Sequence, residues 1–337
     1  MRVGVAIQRL AFIILLFAVL ASSIPVPALN LDELTDKADL IVVSQVTSVR
    51  EIGRTSLPVG NEKVSARVMV SELRVDQVLK GSSGLSSAGV QFFSPEMPIG
   101  FRAIQPLSYR VFFLKGSAED GFRLVSPYYP SVIAVPGIPA QGVAILERVV
   151  AQVATVLLLP SSSTDQKQEA IFALSSTKSP AATRALRAGL QEKEVTVQLS
   201  VTAALLERNE MSGLHIAEEA LLNPRPDIPR YLLHNLSYGI SEGVREEKAI
   251  PSLTRLLNAV SPEVRRAAAS ALRHTGSRSA IDPLLSAVGD SDLEVRYYSV
   301  VGLAEITGQT DWRPNMHDFL SDQHRYLNHW RDWARNR

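Results

Sequence analysis

The sequence contains no cysteine. That absence removes disulfides, thiolate catalysis, a lipoprotein anchor and every cysteine-ligated zinc or iron–sulfur site. It also suits an exported chain that folds without oxidative help. An excess of either charge is missing too: 35 Lys and Arg against 34 Asp and Glu leave a formal +1. Residues 1–28 hold Arg2 and Arg9 and no acid, so removing them leaves 33 basic against 34 acidic residues, a net of −1. A near-neutral chain without a basic patch has no electrostatic claim on nucleic acid, and no nucleic-acid partner is expected. Beyond the N-terminus no stretch reaches ~18 uninterrupted apolar residues, the length of a membrane helix. No stable membrane insertion is expected once the N-terminal segment is gone.

That segment reads as an export signal. Arg2 and Arg9 precede a short apolar run, Leu10 to Ala21, and Val26-Pro27-Ala28 offers a small-residue exit with cleavage after Ala28. Ala21 is the rival site, and an uncleaved anchor is the alternative. The expectation is a bacterial protein of the periplasm or the extracellular space.

The second half carries a period. Leu174, Leu205, Leu236, Leu272 and Leu303 are separated by 31, 31, 36 and 31 residues. A small or neutral residue stands before each: Ala173, Ala204, Asn235, Ala271 and Gly302. Eight residues upstream stand Gln166, Val197, Ile228, Val264 and Val295, four of them aliphatic. The long gap contains the polar stretch SEGVREEK at 241–248. A sustained period of this size means stacked helical pairs that cannot bury their apolar faces alone.

The last two units align without a gap: AIPSLTRLLNAVSPEVRRAAASAL at 249–272 over AIDPLLSAVGDSDLEVRYYSVVGL at 280–303. Both read Ala-Ile, an apolar helix, a turn, then Glu-Val-Arg opening a second helix. On these residues the chain resembles HEAT-like repeats of the kind found in phycobilisome-lyase relatives, over 166–308. The resemblance implies an α-solenoid in which Arg265 and Arg296 hydrogen-bond between repeats.

The front half reads differently. NLDELTDKADL at 30–40 predicts a short helix with Asn30 as N-cap and acids in its first turn. Strands are expected at about 41–49, 64–80, 89–94, 109–115 and 122–126. In the second, Val64, Ala66, Val68 and Val70 alternate with Ser65, Arg67, Met69 and Ser71, the period of a strand buried on one face. Five such strands suggest a small sandwich or barrel. ADLIVVSQVTSV (38–49) with LRVDQVLKG (73–81) resembles the netrin-like domain, which implies an OB-like barrel. That family's inhibitors chelate a protease's zinc through an N-terminal cysteine, which this chain lacks. Between the halves, 143–159 predicts an amphipathic helix: Ile145, Leu146, Val149, Val150, Val153, Val156 and Leu157 on one face, Arg148, Gln152 and Thr155 opposite. Such a helix covers the first repeat, whose core would otherwise be open.

Chemistry is thin. Ser175-Ser176-Thr177-Lys178 matches the Ser-x-x-Lys of penicillin-recognising enzymes, but Pro180 follows at once and no Lys-Thr-Gly exists. Gly84-x-Ser86-x-Ala88 lies in a Gly/Ser turn rather than a strand-to-helix elbow. His317 and His324 stand two helical turns (~10.5 Å) apart, too far for one metal ion, and His215 with Glu218 lacks a second histidine. No catalytic, cofactor-binding or metal-binding residue is assigned. All three tryptophans lie in 311–337 (Trp312, Trp330, Trp333), and Tyr326, Trp330 and Trp333 share a helix face that seals the end of the solenoid.

The expected fold class is multidomain β plus α, a small OB-like antiparallel β-barrel followed by an α-helical HEAT-like solenoid. Its parts are a signal at 1–28, the barrel at 29–140, a linker and capping helix at 141–165, five repeats at 166–308 and an aromatic capping helix at 309–337. The expected function is a noncatalytic scaffold or adaptor for a protein partner. Candidate partner-binding residues are Arg265, Arg266, Tyr297 and Tyr298, near the inner surface of the second helices, with Trp330 and Trp333. A lyase or hydrolase of the HEAT-like lyase family, and an envelope protease inhibitor acting through the barrel, are the alternatives. The mature chain is expected to begin near residue 29. N-terminal sequencing of envelope-fraction protein reads this directly, and an intact Met1 there contradicts it.

Overall fold

A computed structural model describes residues 28–59, 62–97 and 100–337. The expected signal, apart from Ala28, lies outside the described residues. The chain divides into two compact units, one reaching to Val132 and one from Ile133 to Arg337.

The first unit opens with α1 (Leu31–Lys37), started by Asn30, whose Oδ1 accepts the Glu33 N–H at 3.1 Å. Asp32 and Glu33 in its first turn meet the positive end of the helix dipole. Then come β1 (Leu40–Val59), β2 (Glu62–Lys80), β3 (Ser87–Pro95), β4 (Tyr109–Ser117), β5 (Gly121–Leu124) and β6 (Ser131–Ile133). The sheet order is β1-β2-β3-β5-β4-β6, and β1 also pairs with β4. Leu40, Val42, Val46, Leu73, Val90, Phe92, Phe112 and Leu114 fill its core.

The small antiparallel barrel expected from the sequence is corrected in two respects. β3 and β5 run parallel and meet at only two positions, Val90 with Phe122 and Gln91 with Arg123. β1 also pairs with β4 only over Leu40–Gln45 and continues with β2 alone to Val59, so the sheet is not a regular barrel. β1 extends to Val59 instead of stopping near 49, because bulges at Thr47 and Ile52 bend it without breaking its pairing to β2. Buried parity along β2 accordingly changes from Val64 and Ala66 to Ser71 and Leu73. Gly116, at φ 103°, ends β4 where a Cβ would stand 2.3 Å from the Gly121 carbonyl oxygen.

The second unit is helical: α2 (Ile145–Leu158), α3 (Thr164–Ser175), α4 (Pro180–Gly189), α5 (Val195–Leu206), α6 (Leu214–Leu222), α7 (Arg230–Gly243), α8 (Ile250–Leu256), α9 (Pro262–His274), α10 (Ile281–Ala287), α11 (Leu293–Thr307), α12 (Met316–Ser321) and α13 (Gln323–Arg335). The five periodic leucines fall on α3, α5, α7, α9 and α11, and every one is fully buried. Those five second helices stack in order, while the first helices α4, α6, α8 and α10 pack behind them. α2 packs on α3 and α4 and covers the first repeat. Its polar face differs from the expectation at Gln152, which is fully buried and donates from Nε2 to the Ile138 carbonyl at 2.8 Å.

Close stacking depends on small residues. In α7, a Cβ at Gly243 would lie 1.8 Å from the Leu206 carbonyl oxygen, and one at Gly239 would lie 3.0 Å from that of Ala203. Gly302 of α11 lies against Arg273 of α9 in the same way, where a Cβ would meet the Arg273 Cβ at 3.0 Å. Among the described residues no helix is long and apolar enough to cross a membrane. Leu272→Ala is expected to cost about 2–5 kcal/mol, as a fully buried leucine does. Gly243→Ala is expected to cost about 3 kcal/mol through overpacking, and Glu247→Ala on the inserted loop within ~0.5 kcal/mol. Denaturant melts of the three variants test the register, and equal losses at all three refute it.

Candidate functional site

No acid–base constellation forms at the sequence's chemical candidates. Ser175 donates its hydroxyl to the Phe172 carbonyl at 2.9 Å, one turn back on its own helix. His215 is exposed on α6, and the His317 side chain is 90% exposed. Among the described residues no three His, Asp or Glu side chains gather as a metal-binding group.

What the helices do organise is a polar ladder. Seven residues before each periodic leucine stand Lys167, Gln198, Pro229, Arg265 and Arg296. Arg265 places Nε and Nη2 on the two Asp290 oxygens at 2.8 and 2.9 Å, reaching across to the next repeat. Its Nη1 caps the Ala259 and Val260 carbonyls at 3.0 and 3.1 Å. Arg296 repeats the arrangement one unit on, capping Asp290 and Ser291 carbonyls and donating to Gln323 Oε1 at 2.9 Å. Lys167 does so at the other end, its Nζ 2.6 Å from Glu192. Gln198 donates to the Leu190 carbonyl at 2.8 Å. Pro229 has no side-chain donor, and the ladder skips α7. Lys167 was not singled out in the sequence, although its place seven residues before Leu174 matches that of Arg265 before Leu272.

Arg266 forms a second inter-repeat fork, with Nε and Nη2 on Asp292 at 2.9 and 2.7 Å. Asp292 Oδ1 also accepts the Glu294 and Val295 N–H groups and so caps α11. These hydrogen bonds, the Arg266 fork foremost, pull its carboxyl down to about 2. Burial pushes Asp290 the other way, but its bonds from Arg265 and the Asp292 N–H leave it below the usual range. Arg265 and Arg266 therefore hold repeats together with the groups that a partner would need.

The aromatic candidates divide. Trp330 is fully buried, packed edge-on against Trp333 at 5.5 Å, and presents no ring to a partner. Trp333 is partly buried on the same core, with Arg337 over its ring. Tyr297 packs on Phe319 of α12 at 5.6 Å and belongs to the seal. Tyr298 is half-buried against the Ala269, Ala287 and Val295 cluster. Trp312 stacks on His329 at 3.6 Å, completing the seal.

The exposed aromatic face lies elsewhere, on α7. Tyr231 is 58% and Tyr238 54% exposed, and His234 and Asn235 between them are exposed on the same face. At the positions corresponding to Tyr231, His234 and Asn235, α5 has Ser200, Ala203 and Ala204, and α9 has Ala267, Ser270 and Ala271, while Tyr238 corresponds to Glu207 and His274. Small residues on both neighbours leave α7 as a ridge along the stacked second helices. The sequence holds this signal as an i, i+3, i+4, i+7 pattern displaced from the leucine row, and Tyr231 occupies the register position of Tyr298.

Comparison with known proteins finds repeats in the second unit. The family model for HEAT repeats matches residues 219–304, from the end of α6 through most of α11. No curated protein matches. Nineteen chains of solved structures do. One is an engineered protein, 18% identical, with a TM-score of 0.36 over 49% of this chain and 82% of that one.

The ladder makes stability fall in acid. Asp290, Asp292, Glu210, Glu218 and Glu305 all have lowered pKa values. A lowered carboxyl contributes stability above its unfolded pKa of ~4, and this is lost as pH falls through the folded value. For Asp292 that window runs from ~4 to about 2 and corresponds to about 2 kcal/mol. His274 and His329, lowered first by burial, lose their contribution earlier, as pH falls below ~6.5. Thermal melts from pH 8 to 2 should show both limbs, and Asp292→Asn should flatten the acid one. An acid limb unchanged in that variant contradicts the assignment.

Proposed function

We propose that this chain is an exported, noncatalytic scaffold or adaptor that holds a protein partner on the open face of its stacked second helices. HEAT repeats in the second unit support an interaction role, and the one observation that carries the reading is the α7 ridge. Soluble proteins expose single apolar side chains routinely. Two exposed tyrosines on one helix face, the first with serine and alanine at its register positions on both neighbours, have instead the composition of a binding centre. Tyr298 extends that surface toward α11, whereas Arg265, Arg266 and Trp330 support it from within.

Export to the periplasm or extracellular space rests on Arg2, Arg9 and the Leu10–Ala21 run. The kinship of the repeats with phycobilisome-lyase relatives rests on the Glu-Val-Arg units. For the first unit we favour an OB-like reading, supported by a strand circuit that runs from β1 through β2, β3, β5 and β4 back to β1.

The test is capture of a partner from an envelope extract with the mature protein, followed by repetition with a Tyr231→Ala, Tyr238→Ala variant. Both side chains are exposed, so the variant keeps its fold by circular dichroism. A loss of about 1 kcal/mol or more in affinity is expected where a tyrosine is a central contact. Capture unchanged in the variant, or turnover of a substrate that disappears with Ser175→Ala or His215→Ala, overturns the reading.

A further inference from the structure

The ridge has a charge character that bears on what it binds. Glu242 stands one helical turn after Tyr238 on α7 and bonds only to the neighbouring Ser241 hydroxyl, at 3.4 Å. Glu207, at the end of α5, occupies the register position of Tyr238 on the adjacent helix. Its stem lies against α7, since a Cβ at Gly239 would sit 3.6 Å from the Glu207 Cγ. Glu263 of α9 faces His234 at 2.5 Å, and both side chains are more than half exposed. None of the three forms a side-chain ion pair with a lysine or arginine among the described residues, although Arg245 lies close enough to Glu242 for their charges to attract.

Their neighbours do. Glu192 has Lys167, Glu210 has Arg187, Glu218 has Arg255, Asp290 has Arg265, Asp292 has Arg266 and Glu305 has Arg273. Arg245, just past the end of α7, donates to the Ser241, Glu242 and Val244 carbonyls and lies near the Glu242 charge, while Arg230 is exposed at the opposite end of the helix. Burial raises the Glu207 carboxyl above its ordinary value, the direction expected of an acid that lacks its cation.

We propose that the α7 ridge takes a basic segment of the partner protein, its lysine or arginine side chains lying on Tyr231 and Tyr238 and pairing with Glu207, Glu242 and Glu263. This rests on the scaffold reading above. The chemistry is complementary on both counts: an exposed tyrosine face attracts a cation through its ring quadrupole, and a carboxylate beside the ring completes the charge pair. The closely packed α5 and α7 bring ring and carboxylate to adjacent register positions.

The test titrates the mature protein with a short peptide of alternating lysine and glycine, beside its glutamate counterpart, by calorimetry at low and moderate salt. The lysine peptide is expected to bind and to weaken as salt screens the carboxylates. Tyr238→Ala is expected to weaken it about threefold to fivefold, the size of an exposed cation–π contact. The Glu207→Gln, Glu242→Gln pair should weaken it at least as much, while Glu219→Gln on α6 leaves it unchanged. No binding of the lysine peptide, equal binding of the glutamate peptide, or indifference to all these variants overturns the proposal. If the lysine peptide fails but the Tyr231→Ala, Tyr238→Ala variant still loses its captured partner, the basic segment is wrong and the scaffold stands. If that variant also keeps its partner, both readings fall.

Discussion

Every second helix of the repeat unit must bury two flanks against its neighbours and a third side against its own first helix. That constraint generates the rest. A leucine on each second helix fills the space between layers, and its burial in all five repeats fixes the rotation of each helix about its axis. Once rotation is fixed, the position seven residues earlier always points toward the turns that join first to second helices. Those turns have unsatisfied carbonyls at the ends of the first helices. A long cation there answers two needs, capping its own repeat and reaching the carboxylate of the next. Arg265 and Lys167 reach such a carboxylate, and Arg296 reaches Gln323 instead. The ladder is a consequence of the leucine register rather than a separate device.

The same constraint explains the ridge. α7 begins at Pro229 where the ladder would need a cation, and is followed by the inserted segment at 241–248. It is held instead by backbone proximity, with Gly239 and Gly243 against the carbonyls of α5. Arg245 and Asn209 secure the insert, the Asn209 Oδ1 accepting the Arg245 N–H at 3.0 Å. With attachment provided by glycines on one face, the adjacent face is released from packing. Tyr231, His234, Asn235 and Tyr238 occupy that face, whereas at the first three of these positions the neighbouring helices have alanine and serine.

Sequence periodicity was most informative where one residue type answers one physical need. The leucine rows, the aligned units at 249–303 and the Asn30 cap were legible because burial and capping each admit few residues. The terminal seal was legible for the same reason, since an open repeat end calls for large apolar rings. Positions that serve two needs were harder to read. The inter-repeat role of Arg265 was legible through the repeat resemblance, but that of Arg266 was not, until Asp292 of the next repeat was placed beside it. Trp330 carried two readings, seal and contact, because a helix-face stripe does not reveal how much of it is covered. Gln152 looked exposed because its partner, the Ile138 carbonyl, lies in an irregular segment with no pattern of its own. β1 beyond Val49 lacked alternation because its bulges change which face is buried. The tyrosine ridge was present in the sequence but displaced from the row that attracted notice.

The central claim is that the register couples adjacent repeats wherever a long cation stands seven residues before the leucine. A double-mutant cycle on Arg265 and Asp290 measures it most directly, from the denaturant stabilities of Arg265→Ala, Asp290→Ala and the pair. The two side chains are each 13% exposed and form a two-pronged contact, so a coupling of about 1–3 kcal/mol is expected. A coupling indistinguishable from zero would mean that the ladder is incidental to the stacking, and the account would fail.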